Sequence, residues 1–245
     1  MRNIDRTVVV TGSSSGIGLA VAGRYFDSGA NVVLHGRDRA RLEAALARFD
    51  DPARVDHVIG DIADRSVGEA LAGTAMDRFG RLDLLVNNAG VFASRPFLEV
   101  SDEELDRFVD GNLKGTYRTS QAAVRHMIRQ GSGSIVNIGT VLIDHAIAGF
   151  PATAPLVSKG GVHALTVNLA AELAAAGIRV NAVAPGIVRT PLHDADAVDG
   201  LRGLALLDRV GEADEIAAAV EYLDHAGFVT GHILPVDGGF VSGRR

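Results

Sequence analysis

Thr11-Gly12-Ser13-Ser14-Ser15-Gly16-Ile17-Gly18 follows the β-branched run 7–10 directly and opens a helical pattern over 17–28. In that place glycines let the backbone turn sharply and approach a pyrophosphate lying on the helix N-terminus, where unpaired N–H groups favour an anion. A Gly/Ser-rich turn has the same composition, and a glycine motif in isolation carries little. Its position between a first strand and a first helix makes it a dinucleotide signal. The spacing is G-x3-G-x-G, not the commoner G-x-G-x-x-G. Gly12, Ser14, Ser15, Gly16, Ile17 and Gly18 are the candidate contacts here, with Ser13, Ser14 and Ser15 read as phosphate-loop hydroxyls and turn formers.

The same alternation continues along the chain. Strands are expected at 7–10, 31–34, 55–59, 82–86, 134–138, 178–183 and 232–236, and helices at 17–28, 39–49, 66–79, 103–130, 156–175 and 212–224. Val8-Val9-Val10 and Leu84-Leu85-Val86 are apolar on both faces, and a parallel sheet covered by helices on both sides buries such strands. Strict β–α alternation with that pattern predicts an α/β, doubly wound parallel sheet of the Rossmann type. Local signals agree: Ser101 and Glu104 form a capping box, Asp38 is placed to cap the helix from Arg39, and Gly29 and Gly177 follow helix ends. With no linker, repeat or shift in composition, one domain over 1–245 is expected.

Composition excludes several classes. The 245 residues are 47% apolar and 22% charged, which is not a disordered chain. The net charge of −6, without a basic block, argues against a nucleic-acid partner. There is no cysteine for a disulfide, a thiolate zinc site or a thiol nucleophile. No apolar run approaches the roughly 20 residues of a membrane span, and Met1 to Arg6 lacks the core of a secretory signal. A soluble cytoplasmic protein with no membrane partner is expected. His57, His126, His163, His225 and His232 show no metal-ligand clustering, so no metal is expected.

Further motifs recur in order. Asp61-Ile62 follows the third strand, Asn87-Asn88-Ala89-Gly90 the fourth, and Asn112 lies within Gly111-Asn112-Leu113-Lys114-Gly115. Then come 134–138, Ser158-Lys159, 181–186 with Thr190, and Val236-Asp237-Gly238-Gly239. Through these motifs, from about Thr7 to Phe240, the chain resembles the short-chain dehydrogenase/reductase family. The resemblance implies a nicotinamide nucleotide, with Asp61 and Ile62 at the adenine, Asn88 beside the ribose, and Ala89 and Gly90 among the cofactor-binding residues. It also implies Val188 and Thr190 at the nicotinamide carboxamide, with Pro185 and Gly186 among the cofactor-binding residues.

Charge argues the phosphate preference. A fold that prefers NAD usually carries an acid at the end of strand 2, about 20 residues past the glycine loop. Here Leu34-His35-Gly36-Arg37-Asp38 puts glycine at the usual acid position, followed by arginine. A guanidinium pairs bidentately with a 2′-phosphate, so Arg37, with help from His35, favours NADP(H). NAD(H) stays open, with Asp38 as ribose acid in place of helix cap.

The family's chemistry, as the resemblance implies it, uses a Ser that polarises the carbonyl, a Tyr four residues before a Lys, and an Asn that positions a relay water. A phenol of ordinary pKa near 10 needs a nearby ammonium to work at neutral pH. Asn112 and Lys159 are in place, Thr140 stands at the Ser position, and Pro155 stands where the Tyr is expected. Lys159 is then left chiefly to the nicotinamide ribose. The three tyrosines, Tyr25, Tyr117 and Tyr222, lie in other predicted helices. His145, beside Asp144 in a segment about two residues longer than usual, is a substitute acid/base or a plain loop residue. Phe92, Phe150, Leu142 and Leu192 are candidate pocket walls, and 191–211 a candidate lid.

Two function classes follow. One is an NADP(H)-dependent oxidoreductase of a small carbonyl, alcohol or imine. The other is a nucleotide-binding protein with little turnover, a sensor or structural subunit. The resemblance further implies a homotetramer built on helices 103–130 and 156–175.

Overall fold

The computed structural model describes residues 3–191 and 198–243. Seven parallel strands form one sheet in the order β3-β2-β1-β4-β5-β6-β9. They are β1 (Thr7–Val10), β2 (Asn31–Gly36), β3 (Val55–Ile59), β4 (Leu84–Asn87), β5 (Gly133–Ile138), β6 (Ile178–Pro185) and β9 (Ile233–Val236). A two-strand pair, β7 (Val188–Arg189) and β8 (Gly211–Glu212), lies apart and was not expected from the sequence. The helices are α1 (Gly16–Asp27), α2 (Arg39–Leu46), α3 (Arg65–Phe79), α4 (Asp102–Phe108), α5 (Gly115–Gln130), α6 (Thr153–Leu173) and α7 (Ala213–His225).

The period-two alternation of each strand divides its side chains between two cores. Val8, Val10, Val32, Leu34 and Val86 pack under α1, α2 and α7, with Phe26, Leu42 and Ile216. Val9, Val33, Leu85, Ile135 and Val180 pack under α3, α5 and α6, with Leu71, Met127 and Leu173. Both faces of the sheet are therefore covered, as the doubly apolar strands demand.

Caps follow the local signals. Asp38 accepts from Arg41 N at 3.0 Å, Ser101 and Glu104 form the reciprocal box, and Gly29 and Gly177 take φ of +102° and +72°. The expected helix 103–130 is not one α-helix. It is α4, a π-helical turn over Val109–Lys114, and α5. The wide turn carries Asn112 inward, and such bulges recur at functional positions.

Strand order reverses between β1 and β4, whose neighbours β2 and β5 lie on opposite sides. In open α/β sheets the crevice at the carboxyl ends of such a pair takes the ligand. Of the proposed lid, residues 192–197 lie outside the described residues. Among the described residues no helix is long and apolar enough to cross a membrane, and no group of three acidic or His residues could hold a metal.

Candidate active site

The glycine loop and the end of β4 are bolted together at the switch point. Asn88 Nδ2 donates to the carbonyl oxygens of Thr11 and Gly12 at 2.9 and 3.0 Å. Asn88 N and Ala89 N both donate to Thr11 Oγ1 at 2.9 Å. The approach is too close for side chains. Gly12 has φ +64°, a Cβ on it would lie 2.8 Å from Ala89 Cα, and a Cβ on Gly18 would lie 2.5 Å from Asn88 Nδ2. Thr190 reaches the same loop, 3.3 Å from a Cβ built on Gly16. Asn88, expected beside a ribose, thus has its amide nitrogen committed to the loop.

Ser15, the residue before α1, makes no side-chain cap. The first-turn N–H groups of Gly16, Ile17 and Gly18 therefore have no acceptor from the helix or its cap, which suits an anion. Ser14 and Ser15 are half-buried, but Ser13 is buried. Its hydroxyl donates to Val10 O at 2.8 Å and accepts from His35 N at 2.9 Å. Ser13 is a framework residue, which corrects its reading as a phosphate hydroxyl.

His35 is corrected as well. Its ring is buried, accepts from Gly12 N at 3.0 Å and meets Gly60 O at 3.1 Å. Burial lowers its pKa to about 4. A neutral imidazole bound on both sides does not assist a 2′-phosphate. Arg37 is exposed, with Nη1 3.4 Å from Asp61 Oδ2. A Cβ on Gly36 would press on Ser14 at 3.2 Å, so the usual acid position has little room for an acid. The Ile62 side chain is buried in the core with Val67 and Leu71, which leaves Asp61 as the exposed side chain of that pair.

At the other end, Asn112 is fully buried and its carboxamide is occupied. Oδ1 accepts from Val91 N at 2.8 Å, and Nδ2 donates to Val91 O at 3.0 Å and to Ser158 Oγ at 2.9 Å. It staples the segment after β4 to α6. Lys159 Nζ donates to Ile138 O at 2.7 Å and lies 3.5 Å from a Cβ built on Gly90. Desolvation pulls its pKa down to about 8. Thr140 Oγ1 accepts from Leu142 N at 3.3 Å, so the hydroxyl keeps its own proton for an acceptor.

Pro155 is buried at the third position of α6, where its missing N–H costs no helical bond. None of the tyrosines fills the position. Tyr25 is buried and donates to Asp224 Oδ2 at 2.9 Å, while Tyr117 and Tyr222 are exposed on α5 and α7. His145 is half-buried, its ring edge-on to Phe240 at 5.1 Å. Phe92 and Phe150 stack at 6.0 Å, and Arg95 N and Ser94 Oγ both donate to Pro151 O at 2.8 Å. These contacts fasten the segment after β4 to the loop before α6, beside Pro155.

Pro185 ends β6, and Gly186 N donates to Val236 O at 3.0 Å. A Cβ on Gly186 would lie 2.8 Å from Asp237 Cα. Val188 is buried in β7. His163, grouped above with the non-clustering histidines, lies beneath Thr140. Thr140 N donates to its Nε2 at 3.4 Å, and burial lowers its pKa. Its spacing of four from Lys159 was the available signal, since residues at i and i+4 share a helix face.

Comparison with known proteins agrees with this geometry. The model of a family described as enoyl-(acyl carrier protein) reductase matches residues 12–241. The chain is 34% identical to a 3-oxoacyl-[acyl-carrier-protein] reductase of Thermotoga maritima, over 98% of this chain and all of that one. It is 38% identical to 3beta-hydroxysteroid dehydrogenase 1 of Eggerthella lenta, over 96% of this chain and 93% of that one. Among solved structures, a levodione reductase superposes with TM-score 0.92 at 34% identity, covering 99% and 100% of the two chains. A gluconate 5-dehydrogenase from Burkholderia cenocepacia, in complex with NADP and tartrate, gives 0.89 at 33%, covering 99% and 97%. Sheet order, glycine loop and these similarities together place the chain in the short-chain dehydrogenase/reductase family of NAD(P)-dependent oxidoreductases.

Proposed function

We propose that this chain is an NADP(H)-dependent oxidoreductase of a small carbonyl, alcohol or imine that works without a phenol. One observation carries the reading: Pro155 stands one turn before Lys159, while Lys159, Thr140 and the open N-terminus of α1 keep a working arrangement. The cradle of Gly12, Gly16 and Gly18, which admits no side chain at its closest points, fits a dinucleotide. Gly12, Ser14, Ser15, Gly16, Ile17 and Gly18 would hold the pyrophosphate, and Arg37 a 2′-phosphate. Asp61 and the Ile62 backbone would meet the adenine, and Asn88, Ala89, Gly90 and Lys159 the inner ribose. Pro185, Gly186, Val188 and Thr190 would border the nicotinamide. When bound, that group exchanges a hydride with the substrate.

The chain's own residues do the rest. The Thr140 hydroxyl keeps its proton and donates a hydrogen bond to the substrate oxygen or nitrogen. Lys159 holds the ribose, and Asn112 keeps α6 and the segment after β4 in register. The proton for reduction comes from water, from His145 or from a substrate already protonated. We extend the proposal to a cytoplasmic homotetramer, supported by the exposed Leu105, Tyr117, Ile128, Val157 and Val167 on α4, α5 and α6.

Oxidation of NADPH, followed at its absorbance across ketones, aldehydes and imines, tests the reading. Turnover with at least one class is expected. Tight binding of NADPH with no oxidation across the panel would favour the second reading, a nucleotide-binding sensor or structural subunit.

A further inference from the structure

A buried imidazole that the proposed chemistry does not use lies directly under the phosphate loop. His35, 1% exposed in β2, is joined to the loop through ring and backbone. Gly12 N–H donates to Nδ1 at 3.0 Å, Ser13 N donates to His35 O at 2.8 Å, and His35 N donates to Ser13 Oγ at 2.9 Å. On the other side Nε2 stands 3.1 Å from Gly60 O, just past β3. An amide N–H only donates and a carbonyl only accepts, so the ring is neutral and its proton is on Nε2.

We propose that His35 is the positioning residue of the cofactor phosphate loop: its Nδ1 lone pair holds the Gly12 amide and thereby the left-handed turn that aims the loop and the first turn of α1 at the pyrophosphate. The proposal rests on the nucleotide-binding reading above. Gly12 has φ +64° and stands against Ala89, so a small rotation of its peptide moves the whole cradle. A ring protonated at Nδ1 would face Gly12 N–H with a second donor, and the loop would be pushed out. Burial opposes that protonation and keeps the ring neutral down to about pH 4. The charged groups facing the ring are Asp61, beyond β3, which favours the cation, and Arg37, at the end of β2, which opposes it. The segment Thr11-Gly12-Ser13 presents no titratable side chain.

Two substitutions separate the two ring contacts. In His35→Asn the amide oxygen can occupy the place of Nδ1, which keeps an acceptor for Gly12 and gives up Gly60. In His35→Gln the amide reaches the place of Nε2, which keeps Gly60 and deserts Gly12. Fluorescence titration of the full chain with NADPH near pH 7 should give a Kd for the Asn variant within about threefold of the parent. The Gln variant should bind about tenfold more weakly or worse. Adenosine 2′-monophosphate, which lacks the pyrophosphate, should bind both variants alike. A folded Gln variant that binds NADPH as tightly as the parent would overturn the proposal.

A readout without nucleotide guards against a variant that fails to fold. In the parent chain, nitrogen NMR should show the His35 proton on Nε2 and none on Nδ1, and the Gly12 amide should exchange slowly with solvent. A proton on Nδ1, or a freely exchanging Gly12 amide, would overturn the proposal. If the parent binds neither NADPH nor NADH, the nucleotide reading fails, while these two measurements still judge the clasp.

Discussion

The Lys159 ammonium donates to the carbonyl oxygen of Ile138 at 2.7 Å, joining α6 to the last residue of β5, two residues before Thr140. The amine is desolvated there without an acidic neighbour among the described residues, and its pKa falls from 10.5 to about 8. A carbonyl dipole supports the charge but does not replace the water lost.

The charge on Lys159 is therefore lost within an accessible pH range. Desolvation penalises the ammonium, so between about 8 and 10.5 the unfolded chain binds more protons, and this group's contribution to stability improves as pH rises through that window. Cofactor binding should show the opposite trend, because in the proposed function the ammonium holds the ribose hydroxyls. NADPH affinity is expected to be level below about 8 and to fall above it, whereas Lys159→Arg, which stays charged, should show no such fall. A parent profile level up to pH 10 would remove Lys159 from the ribose.

Two substitutions test the proton donor. If His145 is the acid, His145→Ala should slow reduction by about 10²–10⁴-fold. An unchanged rate would make His145 a packing partner of Phe240 and leave water or the substrate as donor. In a reductase that has merely lost its phenol, Pro155→Tyr should raise carbonyl turnover. No gain would mean that the 140–153 segment is shaped for other chemistry.

In the proposed function Arg37 holds the 2′-phosphate. Losing a charged bidentate contact should cost about 1.5–3 kcal/mol in NADPH affinity, and Arg37→Leu should leave NADH binding near its parent value. A parent that binds NADH more tightly, or a variant that keeps its NADPH preference, would reassign the cofactor.

Asp224 anchors the far end of the sheet. Its side chain is fully buried, accepts from Arg6 at 2.7 and 2.9 Å and from Tyr25 at 2.9 Å, and lies beneath Arg179. Asp224→Ala leaves Arg6 and the Tyr25 hydroxyl without that partner and should cost about 3–5 kcal/mol in urea unfolding. NADPH affinity of the folded variant should be unchanged, since the network lies at the opposite strand ends. A loss under about 1 kcal/mol would show that water replaces the carboxylate.

For assembly, light scattering at micromolar concentration should give four times the 25.6 kDa chain mass. A mass of 25.6 kDa would leave the exposed apolar residues of α5 and α6 unpaired and refute the tetramer.

The residues that were legible without coordinates act over short distances or through a repeated pattern. Val8-Val9-Val10 announces burial on both faces of a strand, and Ser101 and Glu104 announce a helix start. Gly12, Gly16 and Gly18 announce a loop that backbone approaches closely. What Asn112, His35, His163 and Lys159 touch was not legible, because each meets a partner brought to it by the sheet. Asn112 reaches Val91 and Ser158, His35 reaches Gly12 and Gly60, and His163 reaches Thr140. These pairings span about 20 to 50 residues of chain, where no periodicity links one partner to the other. The lowered pKa values of His35 and Lys159 arise in the same way, from water removed by neighbours that are remote in sequence and become adjacent when the strands pair.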